Sequence, residues 1–324
     1  MLRRDRGRGF TNRYSEALDT VVIMTVTVLV PDEEGVAALS EIEGVRPVVY
    51  RRGEPAPAEA AEAEVLVTGD RPSEELWQAL PNVKLVQLLV AGAEDWIGKM
   101  PDGVLLSTCR GAHGGSSAEW VVAVLLAIYR GLHDFSDGQR QRRWERRTTD
   151  TLQGKRALIV GAGDLGRHLR RRLETFDVRC TMVGATAREG VHGVAELPGL
   201  LPEHDVTALM VPLTQHTRGL VDAEFLAAMP DGAILVNVSR GPVVETDALV
   251  AELASGRLRA ALDVTEPEPL PEDHPLWEVP GLLLTPHVGG AVSGVRQRAY
   301  AVVARELSHY LSGELPKNLV HGEY

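Results

Sequence analysis

The chain has 324 residues, 34 Lys and Arg against 45 Asp and Glu, a formal net charge of −11, and 44% hydrophobic residues. This length suits about two domains of ordinary size. The acidic balance argues against a broad nucleic-acid surface, and no apolar run reaches the roughly 18 residues that cross a bilayer. Cys109 and Cys180 show neither disulfide nor metal spacing. We therefore expect no metal site and a cytoplasmic location.

The first 23 residues are basic as far as Tyr14 and lead into an apolar run over residues 21–30. A signal peptide is one interpretation, but Asp19 interrupts the run and an acidic segment follows it. We favour a loosely ordered N-terminal extension over residues 1–23. The first strand then begins after Met24, within residues 26–30.

Strands and helices alternate through the first third of the chain. Short apolar runs predict strands at 47–50, 64–68, 84–89 and 104–107, and helices are predicted near 33–40 and 73–80. Such alternation is typical of a parallel sheet covered by helices on both faces.

A long helix is predicted over residues 116–133. It is apolar on nearly every side, which indicates deep burial between domains. A basic run over 140–147 follows and contains Trp144. Because the net charge is acidic, we interpret this run as a solvated helix face rather than a nucleic-acid site.

A second alternation predicts another doubly wound sheet. Its strands are predicted at 156–160, 178–183, 205–210, 233–238, 259–262 and 282–284, with helices near 165–176, 222–229 and 247–254. A final helix at about 292–312 lies beyond the last strand, and we expect it to pack back on the first domain.

A glycine-rich turn joins the first strand of this second unit to its first helix. It contains Gly161, Gly163 and Gly166, and Asp164 and Leu165 open the helix. Three glycines at this spacing allow a tight turn, close backbone approach to a pyrophosphate and close helix packing. The turn therefore predicts a dinucleotide site at a helix N-terminus.

The end of the next strand bears on the choice between NAD and NADP. NAD-preferring sites usually place an acidic residue there, whereas this chain has Gly184, Ala185 and Thr186 followed by Arg188. A guanidinium can bind a 2′-phosphate, so NADP is slightly preferred over NAD. The alternative is that Arg188 only faces solvent.

Three further segments follow strands of the second unit: Val-Asn-Val-Ser-Arg-Gly at 236–241, Asp-Val-Thr-Glu-Pro-Glu-Pro at 263–269 and Thr-Pro-His-Val-Gly-Gly at 285–290. With the glycine turn, they resemble the D-isomer-specific 2-hydroxyacid dehydrogenases. The resemblance implies an α/β fold of two doubly wound parallel-sheet domains, one a Rossmann-type cofactor domain and the other a flavodoxin-like substrate domain, with a cleft between them.

The same resemblance implies the catalytic residues Arg240, Glu268 and His287. A histidine that titrates near neutrality can donate and take the hydroxyl proton, a neighbouring carboxylate stabilises its protonated form, and arginine can hold the substrate carboxylate. Glu266 is the alternative to Glu268, although its offset from Asp263 is wrong for the family.

The resemblance also implies binding residues in both domains. It assigns Arg240 and His287 to the cofactor site and the substrate site alike. Further cofactor contacts are implied at Asp263, Pro212, Thr217 and Val238, and substrate contacts at Ala91 and Gly92. The segment 109–115 departs from the usual family lead-in, and its Arg110 and His113 are either additions to the anionic-substrate site or structural residues.

The implied activity is that of an NAD(P)-dependent D-2-hydroxyacid dehydrogenase acting mainly as a reductase of a small 2-oxo acid such as glyoxylate or hydroxypyruvate. A phosphoglycerate dehydrogenase-like enzyme and a dinucleotide-sensing, corepressor-like binding protein are the alternatives. We expect a homodimer without nucleic-acid or membrane partners. The substrate domain is predicted at 24–112 with 292–324, and the NAD(P)-binding domain at 113–291.

Overall fold

Two parallel β-sheets organise residues 25–322, the part of the chain that this computed structural model describes. The strands of the first sheet are β1 (Val26–Val30), β2 (Val45–Val49), β3 (Ala63–Thr68), β4 (Leu85–Leu88) and β5 (Leu105–Ser107). Their order is β2-β1-β3-β4-β5, which is the flavodoxin-like order. The extension expected over residues 1–23 lies outside the described residues.

The second sheet has seven parallel strands. They are β6 (Arg156–Val160), β7 (Arg179–Gly184), β8 (His192–Gly193), β9 (Val206–Leu209), β10 (Ile234–Asn237), β11 (Arg259–Leu262) and β12 (Leu282–Leu284). The order β12-β11-β10-β9-β6-β7-β8 reverses direction at β6, as in Rossmann-type sheets. The two doubly wound sheets confirm the predicted fold class. The sequence predicts six of these strands and misses β8, because two residues carry no apolar pattern.

The helices cover both faces of the sheets. They are α1 (Glu33–Leu39), α2 (Glu74–Gln78), α3 (Gly114–Arg130), α4 (Leu132–Arg140), α5 (Asp164–Glu174), α6 (Leu197–Leu200), α7 (Ala223–Ala228), α8 (Thr246–Ala254) and α9 (Val295–Leu311). No helix within residues 25–322 is long and apolar enough to cross a membrane.

The prediction of one long, fully buried helix near 116–133 is wrong in two respects. Gly131 adopts a left-handed conformation (φ 58°), which ends α3 and starts α4. Only one side of α3 is deeply buried, through residues such as Val121 and Leu125, whereas Glu119 and Ala123 are exposed. The basic run is solvated as predicted, but it is not a helix face, since α4 ends at Arg140.

Helix α9 returns to the first sheet, as predicted. Its buried residues Tyr300, Val303 and Leu307 join the same apolar cluster as Val28 and Val30 of β1. The chain then pairs with β5 through an antiparallel bridge between Ser107 and Leu319. On the basis of this packing we propose the discontinuous domain 24–112 with 292–324, and 113–291 as the cofactor domain.

Asp32 connects α1 to α9. Its Oδ1 accepts hydrogen bonds from the backbone N–H of Gly35 (2.9 Å), which caps α1, and from the hydroxyl of Tyr300 (2.9 Å). Its Oδ2 forms an ion pair with Arg296. Burial raises the pKa of Tyr300, so its hydroxyl remains a donor across the physiological range.

We expect the Asp32→Ala variant to lower the free energy of unfolding by about 2 kcal/mol, because it removes a helix cap and leaves the Tyr300 hydroxyl unpaired. Asp222→Ala is the matched control, since Asp222 caps α7 through the N–H of Phe225 (2.8 Å). It should cost about 1 kcal/mol. Urea unfolding measures both, and equal losses would show that Tyr300 and Arg296 add nothing.

Candidate active site

The glycine turn lies between β6 and α5. Gly161 has φ +122°, and a Cβ atom there would lie 2.3 Å from the carbonyl oxygen of Met210. A Cβ atom on Gly166 would lie 1.9 Å from the carbonyl oxygen of Gly161. Gly163, by contrast, would meet nothing within 4 Å. The turn is therefore closed towards the protein and open on the side where a pyrophosphate can reach the N-terminus of α5.

Arg188 lies beside this turn. Its Nη2 donates to the carbonyl oxygen of Ala162 at 3.3 Å. Two backbone hydrogen bonds of 2.9 Å between Arg188 and Val191 hold the segment after β7. Arg188 is an exposed residue, and its guanidinium thus lies next to the glycine turn.

His287 and Glu268 form the closest ionisable pair of the site. Nδ1 of His287 lies 2.7 Å from Oε1 of Glu268, and both side chains are about half exposed. His287 follows β12 and has φ +55°, which is uncommon for a residue other than glycine. Since Nδ1 faces Glu268, Nε2 is the ring nitrogen available to a ligand. The structure places Glu268, not Glu266, against His287.

The buried carboxylate of Asp263 organises the segment that carries His287. Its Oδ1 accepts from the Thr285 hydroxyl (2.6 Å) and the N–H of Val288 (2.8 Å), and its Oδ2 accepts from the N–H of Gly289 (2.8 Å). The N–H of His287 donates to the Asp263 carbonyl oxygen at 2.7 Å. The Asp263 carboxylate is therefore hydrogen-bonded to residues on both sides of His287 and positions that histidine.

Arg240 connects a loop of the second sheet to a loop of the first sheet. It follows β10, and its Nη1 donates to the Ser239 carbonyl oxygen at 2.7 Å. Its Nε and Nη2 lie 3.3 and 3.4 Å from the two carboxylate oxygens of Glu94, in the loop after β4. A Cβ atom on Gly92 would lie 2.0 Å from Nη2, so a side chain there would displace the Arg240 guanidinium from this position. Sequence reasoning missed Glu94, because nothing local marks a partner 146 residues away.

Most of the predicted site residues line two adjoining cavities. A cleft of about 840 Å³ is lined by Ala91, Gly92, Leu165, Val238, Arg240, Asp263 and His287. A neighbouring cavity of about 460 Å³ is lined by Gly163, Asp164, Leu165, Pro212, Val238 and Arg240. Thr217 lines neither; its hydroxyl donates to the Pro212 carbonyl oxygen at 2.6 Å and holds that loop. The carboxyl ends of parallel strands meet at this edge, which explains the convergence.

Arg110 and His113, whose roles the sequence left open, have different surroundings in the structure. Arg110 donates to Oδ1 of Asn318 (3.2 Å) and to the Lys317 carbonyl oxygen (3.0 Å), so it braces the C-terminal segment. His113 lines the larger cleft, and its Nε2 lies 3.1 Å from the Leu89 carbonyl oxygen. Burial lowers the pKa of His113, which makes it a neutral group in that cleft.

Comparison with known proteins gives consistent matches. Residues 122–289 match the family model of the D-isomer specific 2-hydroxyacid dehydrogenase NAD-binding domain. The glyoxylate reductase of Thermofilum pendens is 34% identical over 269 residues, which cover 78% of this chain and 79% of that protein.

Solved structures give the same result. A D-isomer specific 2-hydroxyacid dehydrogenase from Xanthobacter autotrophicus Py2, in complex with NADPH and MES, superposes with a TM-score of 0.80 at 30% identity, covering 92% of this chain and 98% of that one. An NADPH-dependent glyoxylate/hydroxypyruvate reductase from Sinorhizobium meliloti, in complex with citrate, superposes with a TM-score of 0.73 at 25% identity, covering 92% and 98%.

The fold, the glycine turn and these matches together assign the activity class. The chain belongs to the family of D-isomer-specific 2-hydroxyacid dehydrogenases, which makes it an oxidoreductase that acts on 2-hydroxy acids with a nicotinamide cofactor.

Proposed function

We propose that this chain reduces a small 2-oxo acid of the glyoxylate or hydroxypyruvate type. The observation that carries the proposal is that His287 lines the same cleft as Arg240 while its Nδ1 lies 2.7 Å from Oε1 of Glu268. The 34% identity to a glyoxylate reductase supports this substrate type. The name of that relative also supports reduction as the main direction, in which His287 donates the proton.

Each catalytic residue has a distinct task. When bound, the reduced nicotinamide supplies the hydride that C2 of the substrate receives. His287 donates a proton from Nε2 to the C2 oxygen, while Glu268 accepts the hydrogen bond from Nδ1 and keeps the ring oriented. Arg240 binds the substrate carboxylate and stabilises the negative charge that develops on the C2 oxygen.

Binding of the two ligands is assigned to loops that flank these residues. The loop at Ala91 and Gly92, which packs against Arg240, is proposed to hold the substrate carboxylate. The proposed cofactor contacts at the glycine turn are Gly161, Gly163, Asp164, Leu165 and Gly166, and those around the cleft are Pro212, Thr217, Val238, Arg240, Asp263 and His287. Arg188 beside the turn supports a preference for NADP.

A homodimer is proposed from the apolar surface of α3 and α4. The outer side of α3 carries Trp120 and Leu126, which are only partly buried. Leu132 on α4 is 53% exposed, and Trp144 just beyond α4 is 95% exposed. Large apolar side chains exposed together are typical of protein interfaces, and the same surface on a second copy would cover them symmetrically.

We expect His287→Gln to lower kcat for glyoxylate reduction by about 10²–10⁴-fold, because the proton donor is lost. The loss of nicotinamide absorbance under saturating cofactor measures the rate. His309→Gln is the matched control, since His309 also pairs with a glutamate, Glu314 at 2.8 Å, but lines none of these cavities. A His287→Gln enzyme with the normal rate would contradict the assignment. Tight cofactor binding without turnover of any 2-oxo acid would favour a sensor protein.

We expect Arg188→Ala to weaken NADPH binding by about tenfold or more and to leave NADH binding within about twofold, since only NADPH carries the 2′-phosphate. Titration of cofactor fluorescence measures both dissociation constants. Arg179→Ala removes an exposed arginine from the opposite end of β7 and serves as the control. Unchanged NADPH affinity in Arg188→Ala would mean that Arg188 only faces solvent.

We expect Trp144→Glu to raise the dimer dissociation constant by about thirtyfold or more, because a large aromatic side chain at an interface contributes strongly to affinity. Analytical ultracentrifugation of a dilution series measures it. Leu315→Glu, at a residue that is 64% exposed elsewhere on the surface, is the control and should leave the constant unchanged. A wild-type protein that sediments as a monomer would refute the proposed dimer.

A further inference from the structure

The catalytic cleft continues into another cavity that the mechanism does not use. This upper cavity has a volume of about 540 Å³ and lies at the carboxyl ends of β2 and β3. Arg52, Arg71, Val90 and His113 line both the upper cavity and the cleft that contains Arg240 and His287. A substrate bound at His287 can therefore extend past C2 into the upper cavity.

Four arginines line the upper cavity, and three of them already have a carboxylate partner. The pairs are Arg51 with Glu33 (3.0 Å), Arg52 with Asp70 (3.0 Å) and Arg296 with Asp32. Arg71 makes no ion pair or side-chain hydrogen bond with any residue in 25–322. Glu54 also lines this cavity, but no ion pair joins it to Arg71.

The backbone around Arg71 is held on both sides. The Thr68 hydroxyl donates to the Asp70 carbonyl oxygen at 2.6 Å, which fixes the turn after β3. Pro72 follows Arg71 and restricts its backbone, and Ser73 then caps α2 by accepting from the N–H of Leu76 at 3.3 Å. Arg71 is therefore an exposed cation on an ordered turn.

The wall of the upper cavity includes an apolar part beside its charged residues, among which Asp70 lines both cavities. Leu76, Leu89 and Val90 line the upper cavity, and Leu89 is itself buried. An apolar wall suits a short carbon chain, and an arginine without a partner suits a carboxylate or phosphate at the end of that chain. His113 adds no charge there, because burial lowers its pKa.

We propose that the site selects 2-oxo acids that carry a second anionic group, with Arg240 binding the carboxylate next to C2 and Arg71 binding the distal anion. This inference rests on the proposed reductase function and extends its substrates from monoanions such as glyoxylate and hydroxypyruvate to acids with a second anion, which the site prefers. The distal group is a carboxylate or a phosphate, since arginine recognises both by the same paired hydrogen bonds.

The test compares substrates of equal chain length that differ only in the distal group. Oxaloacetate is compared with 2-oxobutanoate, 2-oxoglutarate with 2-oxopentanoate, and 3-phosphohydroxypyruvate with hydroxypyruvate. We expect kcat/KM to favour the acid with the second anion by about tenfold or more in at least one pair. The pair with the largest preference distinguishes carboxylate from phosphate.

The Arg71→Gln variant should lower kcat/KM for the preferred dianion by about tenfold and leave the matched monoacid within about twofold. Arg46→Gln is the control, because Arg46 on β2 pairs with Glu62 and lines neither cavity. The inference is wrong if no pair shows a preference, or if Arg71→Gln lowers both members of a pair equally. The reductase function stands in either case.

Calorimetric titration of the cofactor-loaded protein with the same acids provides a readout that does not need turnover. Tighter binding of a dianion that disappears in Arg71→Gln, without reduction of any acid, would support the anion site and reject the reductase function. Equal affinities within every pair would reject the anion site.

Discussion

The buried carboxylate of Asp263 is the constraint on which the part of the candidate site around His287 depends. A carboxylate that is only 2% exposed is costly unless hydrogen bonds satisfy it, and here three donors from 285–289 do so. That segment cannot move away without leaving a buried charge unpaired. His287 therefore keeps its left-handed backbone conformation, and its ring stays against Glu268. The geometry of the proposed catalytic pair therefore depends on the buried Asp263.

Arg240 connects the second sheet to the first. Its guanidinium donates a hydrogen bond to the Ser239 carbonyl oxygen on its own loop and forms an ion pair with the Glu94 carboxylate after β4. The absence of a side chain at Gly92 leaves room for the Arg240 guanidinium and the Glu94 carboxylate in this arrangement. A half-buried ion pair of this kind contributes little net stability, so we interpret it as a positioning contact that aims Arg240 at the cleft.

Prediction from the sequence succeeded where burial leaves a local pattern. Strands such as β6, buried by helices on both faces, are continuous apolar runs and were predicted to the residue. The two-residue strand β8 left no such pattern. The prediction of full burial is wrong for the outer side of α3, since an apolar composition does not distinguish a buried helix face from an apolar face that stays partly exposed. Glu268 was preferred to Glu266 by its offset from Asp263, and the structure brings Glu268 to His287.

The sequence by itself determined the order of most strands and helices, the glycine turn at 161–166 and the motifs that contain Arg240, Glu268 and His287. Those features are local, because backbone preference and burial are written into neighbouring residues. Only the tertiary structure decided which distant groups meet: Glu94 with Arg240, Asp32 with Tyr300 268 residues away, and the arginines of the upper cavity with their carboxylates. Such pairs depend on how two sheets and α9 pack together, and no spacing along the chain encodes that packing.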